Sequence, residues 1–244
     1  MKRKRKLKSI IPVMIAVLAV PCFRADACVL LYAGGDMTDD GANMFMRSEE
    51  VDADSNKTYY VSPEGKQKAG ESYQGCTEFT WTFTHDSYGY TARCDGKDSG
   101  VCLNCGSGHD HTPYEEAGTN DHGVTVSATQ SLNANPGIKK ADPFTEGGIE
   151  ESEMATVLLS ESRSAREGVE LLTGIYDSVG AGYEGSGVMI CDQNEQWYVE
   201  SLSGHEYIAV LLPESVAFMQ FNVSVELSSI MAFSCFACNC ERFS

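Results

Sequence analysis

The chain has 244 residues and a formal net charge of −17, from 18 Lys or Arg against 35 Asp or Glu. Nucleic acid and anionic membrane both demand a positive surface, so this balance argues against either as a partner. With 42% hydrophobic residues and no low-complexity linker or internal repeat, the composition suits one sizeable domain with its own core.

The amino terminus reads as a secretory leader. Lys2 to Lys8 is basic except for Leu7, Ser9 to Phe23 is mostly apolar, and Ala25-Asp26-Ala27 puts small residues where a signal peptidase reads. The apolar run is short for a membrane-spanning helix of about 20 residues. The expectation is therefore a signal peptide over 1–27, export to a secreted or cell-surface location, and no stable membrane insertion after cleavage. An uncleaved anchor and lipidation of Cys28 are the alternatives, and Asp26 fits poorly between the small residues that a lipidation site prefers. Removing 1–27 takes away seven basic and one acidic side chains, leaving 11 against 34. It also removes Cys22 and leaves nine cysteines, an odd number for an oxidising compartment, with Cys28 the natural unpaired thiol.

The elements follow in order. "CVLLYAGG" predicts a strand, and "DDGANMFMRSEE" a second after an Asp-Gly turn, together a hairpin that starts at Cys28. "KTYYVSP" is a third strand. "TEFTWTFTH", 77–85, alternates Thr with Phe79, Trp81 and Phe83 and predicts a half-buried strand that pairs with "GYTARCD". A Gly-, Cys- and His-rich loop to Pro113 precedes the strand "GVTVSATQSL". Two helices follow within "ADPFTEGGIEESEMATVLLSES" and "SAREGVELLTGIYDSV". In the second, Val169, Leu172, Ile175, Tyr176 and Val179 recur at helical spacing, and Ser164 with Glu167 makes a capping box. Both helices read as a layer covering a sheet, with no chemistry of their own. "GVMICDQNEQWYVESLSGHEYIAVLLP" returns to strands around a turn at 192–195. Strands, helices and strands again give an α+β class. The final stretch, "VELSSIMAFSCFACNCERFS", carries no strand or helix period.

Cys28 carries the chemistry. A cysteine attacks as thiolate and needs a group to take its proton. At an amino terminus its own α-amine, titrating near about 7.7–8.0, can be that base. Cleavage after Ala27 would liberate it, so one event would export and activate the protein. Arg47 lies on the strand that pairs with the one starting at Cys28, where a guanidinium would favour the thiolate. Glu50, three residues on, could orient the α-amine; a plain surface Arg–Glu pair is the alternative.

Five fragments in order, "ACVLLYAGGDMTDDGANMFMRSEE", "AGTNDHGVTVSAT", "ADPFTEGGIEE", "SAREGVELL" and "WYVESLSGH", resemble the amino-terminal half of the secreted dipeptidase family that includes dipeptidase A and the secernins. These are N-terminal-nucleophile (Ntn) cysteine hydrolases, more distantly similar to penicillin V acylases and conjugated bile acid hydrolases. The resemblance runs from Cys28 to Asn222. It implies an Ntn-hydrolase αββα sandwich, here incomplete at the carboxy terminus, and hydrolysis of short peptides with no required cofactor. It makes Cys28 the nucleophile and Arg47 its supporting cation. Glu50 stands where the wider superfamily commonly has aspartate, and Asn120 and Asn222 stand as oxyanion donors. It divides the chain into 1–27, 28–222 and a non-matching, truncated tail, 223–244. Amide acylase activity of the penicillin or bile-acid type, and an inactive secreted binding or structural protein, are the competing functions.

"CLNCGSGHDH" gathers Cys102, Cys105, His109 and His111 as a potential structural zinc site. A local disulfide involving Cys94 or Cys76 is the alternative. His122 and His205 read as loop or pocket-wall histidines, and Trp197 and Tyr198 as core. Dipeptide preference and oligomeric state are not legible.

Overall fold

A computed structural model describes residues 28–49, 57–95, 114–130, 134–183, 185–220 and 234–238. The leading hairpin forms as expected. Strands β1 (Leu30–Ala33) and β2 (Met44–Arg47) pair antiparallel with Leu30 opposite Arg47, and β12 (Ala217–Gln220) flanks β1 on its other side with Gln220 opposite Leu30. Alternation along β1 sends Leu30 and Tyr32 inward to full burial.

The larger sheet has eight strands in the order β13, β11, β10, β9, β8, β7, β6, β3, every neighbouring pair antiparallel. Its members are β3 (Lys57–Ser62), β6 (Tyr90–Asp95), β7 (Glu115–Asn120), β8 (Thr125–Gln130), β9 (Ser186–Cys191), β10 (Gln196–Ser201), β11 (Tyr207–Leu211) and β13 (Ser234–Cys238). Helices α2 (Glu151–Glu161) and α3 (Ala165–Ser178) cover one face, after a short α1 (Pro136–Ala141). The three-stranded sheet covers part of the other. The order of layers is helices, large sheet, small sheet, an α+β arrangement of antiparallel sheets. No helix among the described residues is long and apolar enough to cross a membrane.

The helix-side core runs through Phe79, Phe83, Val126, Leu158, Val169, Leu172, Val188, Ile190 and Trp197. Gly118 permits close packing, because a Cβ there would lie 2.3 Å from the Thr91 carbonyl and 2.7 Å from Leu159. A smaller core between the sheets joins Leu30 and Tyr32 to Met189, Tyr198, Ile208 and Val210.

Four expectations need correction. "TEFTWTFTH" yields only β5 (Thr80–Thr82), which pairs with β4 (Ser72–Gln74) in a separate two-stranded sheet, while β6 pairs with β3 and β7. Phe79 and Phe83 bury at either end of β5, so the apolar alternation reports burial rather than strand length. Ser164 caps α3 by accepting from the Glu167 amide at 3.2 Å, but the Glu167 side chain reaches the Arg163 amide at 2.8 Å. The full capping box belongs to α2, with Glu150 and Glu153. The tail contributes β13, whose pairing with β11 comes from backbone groups that no side-chain period announces.

Candidate active site

Antiparallel pairing places Arg47 across from Leu30 with its side chain on the inward face. Cys28, two residues before Leu30, lies on the same face by alternation. The ladder extends past the strand, with the Ser48 amide donating to the Val29 carbonyl at 2.9 Å and the Val29 amide to Ser48 Oγ at 3.1 Å. These bonds hold Cys28 against Arg47, whose Nη2 lies 3.4 Å from Cys28 Sγ.

Arg47 is itself gripped from behind. Nη2 donates to Glu151 Oε1 at 3.0 Å and Nη1 to Glu116 Oε2 at 3.3 Å. All three side chains are at least nine-tenths buried. Burial alone would lower the Arg47 pKa, but Glu151, Cys28, Glu116 and Glu49 outweigh it and keep the guanidinium charged. Glu151 is the first residue of α2, where the helix dipole favours a negative charge. Burial pushes its carboxyl up, opposed by Arg47 and by a hydrogen bond from Tyr114.

Lys57 on β3 bridges Glu49 and Glu116. Burial, together with the neighbouring Glu49, pushes the Glu116 carboxyl up to about 8. Burial also acts to raise Glu49, but hydrogen bonds from Glu116 and Lys57 and the charges of Arg47 and Lys57 hold it below the usual carboxylate range. Two cations among three carboxylates leave one negative charge in excess. A cavity of about 370 Å³ opens beside this network, bordered by Phe45, Arg47, Lys57, Glu116 and Ser127.

The structure brings Cys28 and Arg47 together and keeps Asn120 apart. The Asn120 amide nitrogen donates to the Leu159 carbonyl at 3.0 Å and the Ser162 carbonyl at 2.7 Å. Its oxygen accepts from the His122 and Val124 amides at 3.1 and 3.0 Å. All of its strong hydrogen-bonding capacity is spent on tying the β7–β8 turn to the end of α2. It also lies four residues along β7 from Glu116, about 13 Å of strand. In this geometry Asn120 is a turn-forming residue without a spare donor, which corrects its expected place at the oxyanion. Glu50 and Asn222 lie outside the described residues, as do Cys102, Cys105, His109 and His111.

His205 packs beside Asp142, with Nδ1 3.0 Å from Oδ1, and Asp142 also accepts from Ser203 and from the His205 amide. This is a loop clamp. His122 sits edge-on to Tyr88 at 4.4 Å. Trp197 is core, and Tyr198 is buried with its hydroxyl donating to Glu200 at 2.7 Å.

Sequence reasoning missed Glu49, Lys57, Tyr114, Glu116 and Glu151. The expectation that the helices carry no chemistry fails at Glu151. Acidic residues in a helix's first turn ordinarily signal solvation and dipole matching, so nothing in "GGIEESEM" distinguishes a buried ion-pair partner.

The chain matches the family model of peptidase family C69 over residues 27–230. It is 38% identical over 189 residues to a probable dipeptidase B of Streptococcus pyogenes serotype M3, covering 77% of this chain and 36% of that protein. It is 33% identical over 197 residues to a probable dipeptidase of Salmonella dublin, covering 80% and 43%. The chain therefore spans well under half the length of these relatives. Among solved structures it is similar to penicillin V acylase from Agrobacterium tumefaciens, with a TM-score of 0.51 at 16% identity over 81% of this chain and 53% of the other, a likeness of fold.

Proposed function

The chain belongs to peptidase family C69, and from that premise we propose that it is an exported cysteine dipeptidase whose nucleophile, Cys28, becomes amino-terminal when the leader is cut after Ala27. The observation that carries this reading is the 3.4 Å contact between Arg47 Nη2 and Cys28 Sγ, backed by buried Glu151 and Glu116. A buried guanidinium with two carboxylates behind it is a fixed positive charge, and a fixed charge beside a developing thiolate needs no reorganisation when the thiol ionises.

The reaction then runs in two halves. The freed α-amine takes the Cys28 proton, and the sulfur attacks the scissile carbonyl to give a tetrahedral oxyanion. The C–N bond breaks as the ammonium returns its proton to the leaving amine, and an acyl thioester remains. Water, deprotonated by the same amine, cleaves the thioester and regenerates the thiol. Glu50 is proposed to orient the amine and Asn222 to donate to the oxyanion. The helix, sheet and small-sheet layers are proposed as part of an αββα sandwich.

The test is expression of the full chain in an exporting host, with amino-terminal sequencing and a dipeptide assay. A mature chain beginning at Cys28 is expected. Cys28→Ala should lose at least about 10³-fold in turnover while melting like the parent. A different amino terminus, or turnover retained by Cys28→Ala, overturns the reading.

A further inference from the structure

The cavity beside Arg47 continues along a free strand edge. The Ser48 amide donates to the Val29 carbonyl, so the hydrogen-bonded rungs between β1 and β2 are Val29–Ser48 and, by alternation, Leu31–Met46 and Ala33–Met44. On the other side the Gly34 amide donates to the Val216 carbonyl, which gives Leu30, Tyr32 and Gly34 to the β12 ladder and agrees with that phase. The N–H and C=O groups of Phe45 and Arg47 therefore point away from β1. Strand β2 is the last of its sheet among the described residues, and no described backbone group meets that edge.

Two cavities follow this edge. The one beside Arg47, about 370 Å³, has β2 as a wall and Arg93, Ala117, Thr125 and Ser127 from β6, β7 and β8 as its floor. A second, about 460 Å³, lies at the turn end of the hairpin and is bordered by Asn43, Met44, Asp192, Gln193 and Glu214. Phe45 and Thr125 border both, so the two adjoin beside β2. Ser127 gives the floor a buried hydroxyl with no partner among the described residues. With four residues in β2, the groove follows about 13 Å of strand.

The two ends of the groove differ in charge. Arg47, Lys57 and Arg93 border the first cavity with Glu49 and Glu116, and Arg93 is held over the Tyr59 ring at 5.5 Å. The second is bordered by Asp192 and Glu214 and by no Lys or Arg. A free strand edge recognises extended backbone whatever its side chains, and a chain with one positive and one negative end suits this gradient. We propose that the groove binds an extended peptide of about four residues as a strand added to β2, its amino end at the hairpin turn and its carboxyl end toward Cys28. This rests on the peptidase reading above and carries it past dipeptides, to oligopeptides whose amino-terminal arm lies along β2.

The experiment separates the two claims. The full chain carrying Cys28→Ala, which binds without turnover, is titrated calorimetrically with alanine peptides from alanyl-alanine to penta-alanine. Affinity should rise by about tenfold or more across the series as backbone hydrogen bonds to Phe45 and Arg47 are added. N-methylation of penta-alanine, one residue at a time, should weaken binding at alternate residues, because only alternate amides face β2. Adding Glu214→Lys, which reverses a charge at the turn end, should weaken penta-alanine by about threefold at low salt. Affinity that is flat with length, methylation that acts without alternation, or penta-alanine binding that Glu214→Lys does not move overturns the groove. Turnover of alanyl-alanine by the parent chain is scored separately. Turnover with length-independent binding leaves the peptidase and removes the groove. Length-dependent, alternating binding without turnover does the reverse.

Discussion

One face of the eight-stranded sheet lies under α2 and α3 and is apolar from Phe79 to Trp197. The other is apolar only around Tyr32, Met189 and Val210, and turns polar toward Cys28, where Arg47, Glu116 and Glu151 gather. The two ask opposite things of the fold. Apolar burial adds about 25 cal/mol per Å², whereas buried charges and unmet amides cost free energy unless something compensates them. The helix-side core therefore carries the stability that lets the other side hold an arginine, several carboxylates and a buried glutamine out of water. Glu151 joins the two regions, since it opens the helix whose apolar face builds one core and pairs with the arginine of the other.

This division can be broken by mutation. Leu158 is fully buried on the helix side. Leu158→Ala should cost about 2–5 kcal/mol of stability in chemical denaturation and leave kcat/KM of the folded fraction near the parent value. A selective fall in kcat/KM at unchanged stability would put chemistry on the wrong side. Arg47→Lys makes the opposite test. Lysine keeps a charge but loses the fork that meets Cys28, Glu151 and Glu116 together, so dipeptide turnover should fall roughly 10–100-fold. Parent-like turnover would show that charge alone suffices.

Asn120 sharpens the boundary. With its amide committed to α2 and the β7–β8 turn, Asn120→Ala should cost about 1–3 kcal/mol of stability, with kcat nearly unchanged. A large loss of kcat at parent-like stability would return Asn120 to the oxyanion. Glu150 at the start of α2 gives the smallest effect. Burial, and then the neighbouring Glu153, raises its carboxyl to about 7. Because the folded value lies above the ordinary one, the unfolded chain ionises first as pH rises. The contribution from neutral Glu150 is full below the ordinary glutamate range and is lost as pH climbs to about 7. Glu150→Gln should flatten the decline in Tm between pH 5 and pH 8, and an identical slope would contradict the assignment.

The parts of this arrangement set by local pattern were legible in the sequence. The β1–β2 hairpin placed Cys28 and Arg47 at one sheet end because the apolar run "CVLLYA" is followed by glycines and an Asp-Gly turn that mark two paired strands, and the period of α3 marked its buried face. Strand β7 was not legible. "EEAGTN" has no apolar alternation, and its two leading glutamates read as solvent-facing although both are buried. The same holds for Glu151 and Gln220. A polar side chain becomes part of a site through what crosses from another strand or helix, and those crossings are long-range. Asn120 shows the converse, since a turn asparagine and an oxyanion asparagine occupy the same "TNDHG" and only the partners of the amide separate them.

The central claim is that Cys28, set against Arg47, is the reacting group. The most direct test is alkylation of the mature, full-length protein by a thiol reagent, with peptide mapping by mass spectrometry and a parallel dipeptide assay. The account predicts that Cys28 is labelled ahead of the other cysteines, that activity falls in step with its labelling, and that excess alanyl-alanine protects both. Labelling of Cys28 that leaves turnover intact, or that the dipeptide does not slow, would contradict it.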